Sequence, residues 1–285
     1  MIANILQSFW LGTQRHWWGG IVRGFAFVGA IWTLVEIVTF FYPNAKTALE
    51  ANPACYLPLL GTAAAIVFFG HVYEPRRVSF HIPKTDREIV LQYGDLLSTE
   101  TDWLIGVGEF FDSDIGIPVS KNSLHGQLIT RTFNGDSSRF RKELDAALVG
   151  HDSEQTTRTI FPRARYKLGT TAVLKNGRHN IFLVAMARTD LDTSKASTTV
   201  SLLWDALKSA LRVICDHNNG EPISMPLIGN GLADIKIAPQ DLLRLLVIAL
   251  VDTHREQRLP KTINIVLHDS CFDHLDLREI RRDWS

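Results

Sequence analysis

The sequence carries no excess of charge of either sign: 30 Lys and Arg are matched by 30 Asp and Glu across 285 residues. Nucleic-acid binders usually show a basic surplus, so the balance argues against DNA or RNA as a partner. Cysteine is scarce as well. Cys55, Cys215 and Cys271 are three in number and far apart, which excludes a paired disulfide framework and any cysteine metal spacing. They read as reduced thiols in a cytosol-facing protein. The third scarcity is local. Between Gly24 and Tyr73 only Glu36, Lys46 and Glu50 are charged, whereas from Arg76 onward the composition is that of ordinary globular protein. A step of that size marks a change of solvent, from lipid to water.

Two uncharged or nearly uncharged runs fill that stretch, Gly24–Tyr42 and Cys55–Tyr73, each of 19 residues. As helices they are each about 28 Å long, close to the hydrocarbon thickness of a bilayer. The connecting YPNAKTALEANPA has the prolines and asparagines of an exposed turn, so the expectation is a two-helix transmembrane hairpin. Aromatics gather where interfaces belong, at Trp17, Trp18, Phe40, Phe41, Tyr42, Tyr56 and Tyr73. Arg15 and Arg23 precede the first run and Arg76 and Arg77 follow the second. That bias places both termini in the cytoplasm, in a multi-pass inner-membrane protein with two spans. A cleaved signal peptide explains only the first run. Glu36 costs on the order of 3 kcal/mol to insert if it faces lipid, so it either stays protonated or faces other helices in a homo-oligomer or an ion path. Ahead of the spans, Ile2, Ile5, Leu6, Phe9 and Trp10 recur at helical spacing, as in an amphipathic helix on a membrane surface or packed on the soluble domain. The expected organisation is a 1–20 amphipathic segment, a 21–75 hairpin and a 76–285 soluble domain.

From Val78 short β-rich runs alternate with helical ones. Strands are expected at Val78–Ile82, Glu88–Tyr93, Trp103–Val107, Ala172–Leu174, Asn180–Ala187, Ile223–Leu227 and Thr262–His268. Helices are expected at Ser123–Phe133, Ser138–Val149, Ser197–Asn218 and Pro239–Gln257. The alternation argues an α/β fold with a sheet between helical layers. Open α/β sheets bind ligands at loops beyond their strand ends, and three loops stand out. Tyr93-Gly94-Asp95-Leu96 closes a strand with an aspartate. A long loop runs from Gly108 through Glu109, Phe110, Phe111, Asp112, Ser113, Asp114, Ile115 and Gly116 to Ser120-Lys121-Asn122-Ser123-Leu124-His125-Gly126. Pro226-Leu227-Ile228-Gly229-Asn230-Gly231-Leu232 then follows a late strand. A Gly-x-Gly turn lets backbone N–H groups approach phosphate oxygens closely, though any one such turn has a purely structural reading.

In this order the three loops resemble those of the macro domain, the ADP-ribose-binding fold, over roughly Val78 to Trp284. The resemblance implies a macro-domain-like three-layer α/β/α sandwich behind the hairpin. It also implies roles for residues. Asp95 accepts from an adenine amino group; the Asp114–Ser123 loop, with Ile115, Gly116, Ser120, Lys121 and Asn122, holds diphosphate and distal ribose. Gly229, Asn230, Gly231 and Leu232 cradle the phosphates from the other side. His125 reaches a phosphate or distal group, or else simply packs. Macro domains that hydrolyse ADP-ribose linkages usually carry an asparagine after the third strand and a run of glycines in the first loop. Here the strand ends Ile105-Gly106-Val107-Gly108-Glu109 and the loop holds one glycine, Gly116. Glu109 or Asp112 as a base beside a diphosphate is electrostatically awkward, so a binder is expected over a hydrolase.

The whole chain is similar to the membrane effector of type II Thoeris, a bacterial anti-phage system. The phrases Tyr93–Leu97, Phe110-Phe111-Asp112 and Asn122–Gly126 carry that likeness. It implies a non-enzymatic sensor with no resident cofactor and no metal. Its ligand is an ADP-ribose derivative, histidine-ADP-ribose, made by a partner TIR-domain protein. Ligand binding then drives oligomerisation, disruption of the lipid bilayer and abortive infection. The alternative is a membrane-tethered ADP-ribosyl hydrolase.

Overall fold

The computed structural model describes residues 2–42, 44, 47, 51, 53–159, 162–191, 193, 195–218, 220–229, 235 and 237–284. The chain divides into two units, Met1–Arg76 and Arg77–Ser285, so the composition step falls where the expected boundary lies.

The first unit is built from two helices, α1 (Ile2–Phe41) and α2 (Pro53–Val72). Glycines let them approach. A Cβ on Gly12 would stand 1.5 Å from the Val72 carbonyl oxygen, and one on Gly20 would stand 2.8 Å from the Phe68 ring. Gly24 lies against the Ala64 carbonyl, so numbers rise along α1 as they fall along α2 and the pair is antiparallel. Phe9 packs edge-on against Phe69, and Arg23 meets His71 Nδ1 at 2.5 Å. Residues 2–20 are the first half of α1, and Gly12 and Gly20 within them lie against α2. Inside α1, Gly19 and Gly20 are contact points against His71 and Phe68. The remaining surface is apolar and outward: Phe25, Leu34 and Phe40 are 75%, 63% and 80% exposed. By length and composition α1 can cross a membrane, and the apolar part of α2, Tyr56–Val72, is shorter. Both are compatible with membrane association. Glu36 also points outward, its carboxylate accepting from Trp32 Nε1 one turn earlier.

The second unit follows the alternation of the sequence. Its elements are β1 (Arg77–His81), β2 (Glu88–Tyr93), β3 (Asp102–Gly108), α3 (Leu124–Thr132), α4 (Ser137–Ala147), β4 (Ser153–Gln155), β5 (Ala164–Tyr166), β6 (Thr171–Asn176), β7 (His179–Thr189), β8 (Ala196–Ser197), α5 (Val200–His217), β9 (Ile223–Pro226), α6 (Pro239–Glu256), β10 (Thr262–Leu267) and α7 (Leu277–Trp284). The sheet order is β1-β2-β10-β9-β3-β7-β6, with β8 paired to β7. The strands from β2 to β7 in that order run parallel, while β1 and β6 are antiparallel edges.

Central parallel strands are buried on both faces, which is why they read as continuous apolar runs. In β3 and β7 the alternation divides two cores. Leu104, Phe182 and Val184 face α5 and α6, packing with Leu203, Leu207, Leu243 and Leu246. Trp103, Ile105, Leu183 and Ala185 face α3 and α4, packing with Leu128, Ile129, Phe140 and Leu144. Three layers result. The connection leaving β3 runs over one face and the connection leaving β9 over the other, so the neighbouring strands β3 and β9 form the point where the winding reverses. Ligand crevices open at such points, beyond the carboxyl ends of the strands.

Candidate ligand-binding site

A cleft of about 480 Å³ opens at that switch point. Its floor is the end of β3 (Gly106, Val107, Gly108) and of β7 (Met186, Ala187, Thr189). Its sides are Pro118–Ser120, the start of α3, Leu203 of α5 and the Pro226–Gly229 segment after β9.

The α3 side is fixed by local hydrogen bonds. Ser123 is the N-cap, its Oγ accepting from the Gly126 N–H at 3.0 Å while donating to the Ser120 carbonyl at 2.6 Å. Gln127 N–H bonds to the Ser123 carbonyl. The N–H groups of Leu124 and His125 are the other two of the first turn, and with the helix dipole they favour an anion. Gly126 is there because nothing larger fits, a Cβ at that position falling 2.2 Å from the Ser120 oxygen. Opposite, Gly229 has φ +95° and a Cβ there would meet Ile235 Cδ1 at 2.7 Å. Only glycine holds that bend at low cost.

His125 lies in this wall. It is 9% exposed, its ring sits 5.6 Å from that of Phe140, and its Nε2 has no hydrogen-bond partner among the described residues. Burial lowers its pKa to about 4, so the imidazole is neutral at physiological pH.

The loop after β3 is strapped down by the β4–β5 hairpin. Phe110 and Phe111 are fully buried, Phe111 with φ +51° and edge-on to Tyr166. Arg158 lies 4.3 Å over the Phe110 ring and reaches Asp112 at 2.6 and 3.3 Å. Burial raises the Asp112 pKa, and the Arg158 hydrogen bonds and charge offset this only in part.

Of the residues singled out in the sequence, the cleft collects Asp112, Ser120, Asn122, Ser123, His125 and Gly229. Asn230, Gly231 and Leu232 lie outside the described residues. The others stand apart from the lining, each for a visible reason. Asp95 caps the short turn Leu96–Ser98, accepting from Leu97 N–H, Ser98 Oγ and Arg131 Nη1. Burial acts to raise its pKa, but the bonds from Ser98, Arg131 and Leu97 prevail and hold it below the usual carboxylate range. Glu109 accepts from Thr189 N–H and pairs with Arg165 at 3.4 Å. Asp114, Gly116 and Lys121 are exposed on the loop surface. Ile115 is half-buried and bridges to Val119 through its backbone. Sequence reasoning missed Arg158, Arg131, Thr189 and Thr198. No motif marks them, and the two arginines act only through tertiary contacts.

The profile of the family described as Thoeris protein ThsA, Macro domain, matches residues 89–268, which run from β2 through the loop after β10 and include every wall of the cleft. Among solved structures, a mutant Oceanobacillus iheyensis macrodomain with ADPR is similar at 10% identity and TM-score 0.50, over 72% of this chain and 97% of that one. The same macrodomain with MES bound has 10% identity and TM-score 0.48, over 73% and 99%. The macrodomain of Mycobacterium tuberculosis DarG has 19% identity and TM-score 0.39, over 62% and 96%. No curated protein matches the chain in sequence.

Proposed function

Because the chain belongs to the Thoeris ThsA macro-domain family, we propose that it is a membrane-anchored sensor whose cleft binds an ADP-ribose-type ligand and whose helical hairpin acts on the bilayer. The observation that carries the ligand assignment is the cleft itself. It is an open groove at the β3/β9 switch point with a helix N-terminus on one side and a positive-φ glycine on the other, a shape suited to a diphosphate. The solved Oceanobacillus iheyensis macrodomain with ADPR supports the same ligand class. In this reading the signal is histidine-ADP-ribose supplied by a TIR-domain enzyme. Occupancy gathers hairpins into a homo-oligomer in the inner membrane, and loss of membrane integrity ends the infection.

Binding is proposed rather than hydrolysis. The two carboxylates considered as a base are committed, Asp112 to Arg158 and Glu109 to Thr189 and Arg165, leaving neither aimed at a water as a general base. A ligand shifts such a protein only by its differential affinity for the active arrangement, and near-complete switching takes roughly 5.5 kcal/mol. The test is dye release from liposomes carrying the full chain. Release on adding histidine-ADP-ribose, and none with Gly229→Val, is expected; intact liposomes at saturating ligand would remove the effector reading. Turnover of the ligand in the same samples would favour the hydrolase.

A further inference from the structure

A diphosphate brings negative charge, yet among the described residues the cleft lining contains no lysine or arginine. It holds two ionisable side chains, Asp112 and His125. Asp112 is bound by Arg158, so that pair adds no net charge. The groups around His125 offer it no cation partner and no free anion. Phe140 of α4 contacts its ring, Arg141 of α4 donates to the Phe111 carbonyl and pairs with Asp145, and Lys121 is exposed on the loop. The walls from β3, β7 and β9 are apolar or hydroxylic. Among the described residues His125 is thus the lining group able to gain positive charge. It is also, among the described residues of the lining, the one whose buried nitrogen lacks a partner, and leaving such an atom unpaired is unfavourable.

We infer that His125 makes ligand binding proton-linked: it is neutral in the free protein and takes up a proton when phosphate oxygens seat at the N-terminus of α3. The inference rests on the ADP-ribose reading. The unpartnered Nε2 then becomes a charge-assisted donor, the strong class of hydrogen bond. An anion opposes the burial that keeps the ring neutral, so its pKa rises on binding. Affinity must then increase as pH falls from the bound pKa toward the free value of about 4, by up to about tenfold per pH unit. A neutral ligand of the same shape gains nothing.

Calorimetry of the full chain in detergent with ADP-ribose tests this, in two buffers of different ionisation enthalpy at about pH 6, near the ordinary histidine pKa. The expected result is a buffer-dependent enthalpy corresponding to net proton uptake, absent in His125→Gln. Should that variant fold poorly, His125→Asn serves the same comparison. Wild-type binding without proton uptake overturns the inference, as does uptake unchanged in the variants. No heat from the wild type overturns the ADP-ribose reading itself, and the inference falls with it.

Discussion

Arg158 has its charge sealed beneath the surface and its guanidinium divided between the Asp112 carboxylate and the Phe110 ring. Removing one member of a buried pair leaves the other charge uncompensated, so Arg158→Met is expected to cost about 3–5 kcal/mol, read as a lower denaturant midpoint. Asp112→Asn should cost at least as much, because it strands the buried Arg158 guanidinium, which cannot shed its charge, whereas the carboxyl left by Arg158→Met can take up a proton. His125 gives a pH signature in stability as well. Its folded pKa of about 4 lies below the ordinary 6.5, so protons prefer the unfolded chain between those values. Ligand-free stability is full above pH 6.5 and declines toward about pH 4, by about 3 kcal/mol if this group acts alone. Thermal melts of the wild type should show the acid loss, and His125→Gln should flatten it. Gly229→Val forces a β-branched residue to positive φ against Ile235. That strain is about 1–3 kcal/mol, and ligand affinity should fall with it.

At the scale of elements, the sequence discloses those whose periodicity is set by burial. All seven expected strands and four expected helices exist, because alternation in β3 and β7 reflects two cores and α5 and α6 each bury an apolar face. β4, β5 and β8 are absent from the sequence reading since short, surface-lying strands carry no alternation to detect. α7, at eight residues with five charged side chains in LREIRRDW, declares itself only through Leu277 and Ile280 in the core. The site was half legible. Ser120–His125 betrays itself as a loop entering an N-cap, whereas Asp95 has the same cap chemistry and was assigned to a ligand instead. The hairpin contact offers a sharp test. Gly12→Leu cannot be accommodated against the Val72 carbonyl, so cysteine cross-linking between α1 and α2 should fall strongly while the β-sheet signal in circular dichroism is unchanged.

For the whole molecule, α1 carries two aromatic bands. Trp17 and Trp18 are separated from Phe40 and Phe41 by 23 residues, about 35 Å along the axis, which matches a bilayer with its interfaces. Tryptophan fluorescence should therefore be quenched by labels near the headgroups more than by labels at mid-chain for Trp17 and Trp18, with Trp32 showing the reverse.

The continuity of α1 has a mechanical consequence. Forty residues without a break form a strut of about 60 Å, and a pivot of about ten degrees at one end sweeps the other through about 10 Å. A strut with no joint delivers leverage undiminished, so any force on its first turns is felt by its last ones. A proline introduced at Val22 would place a flexible elbow midway. The altered chain should still reside in the bilayer yet release no dye.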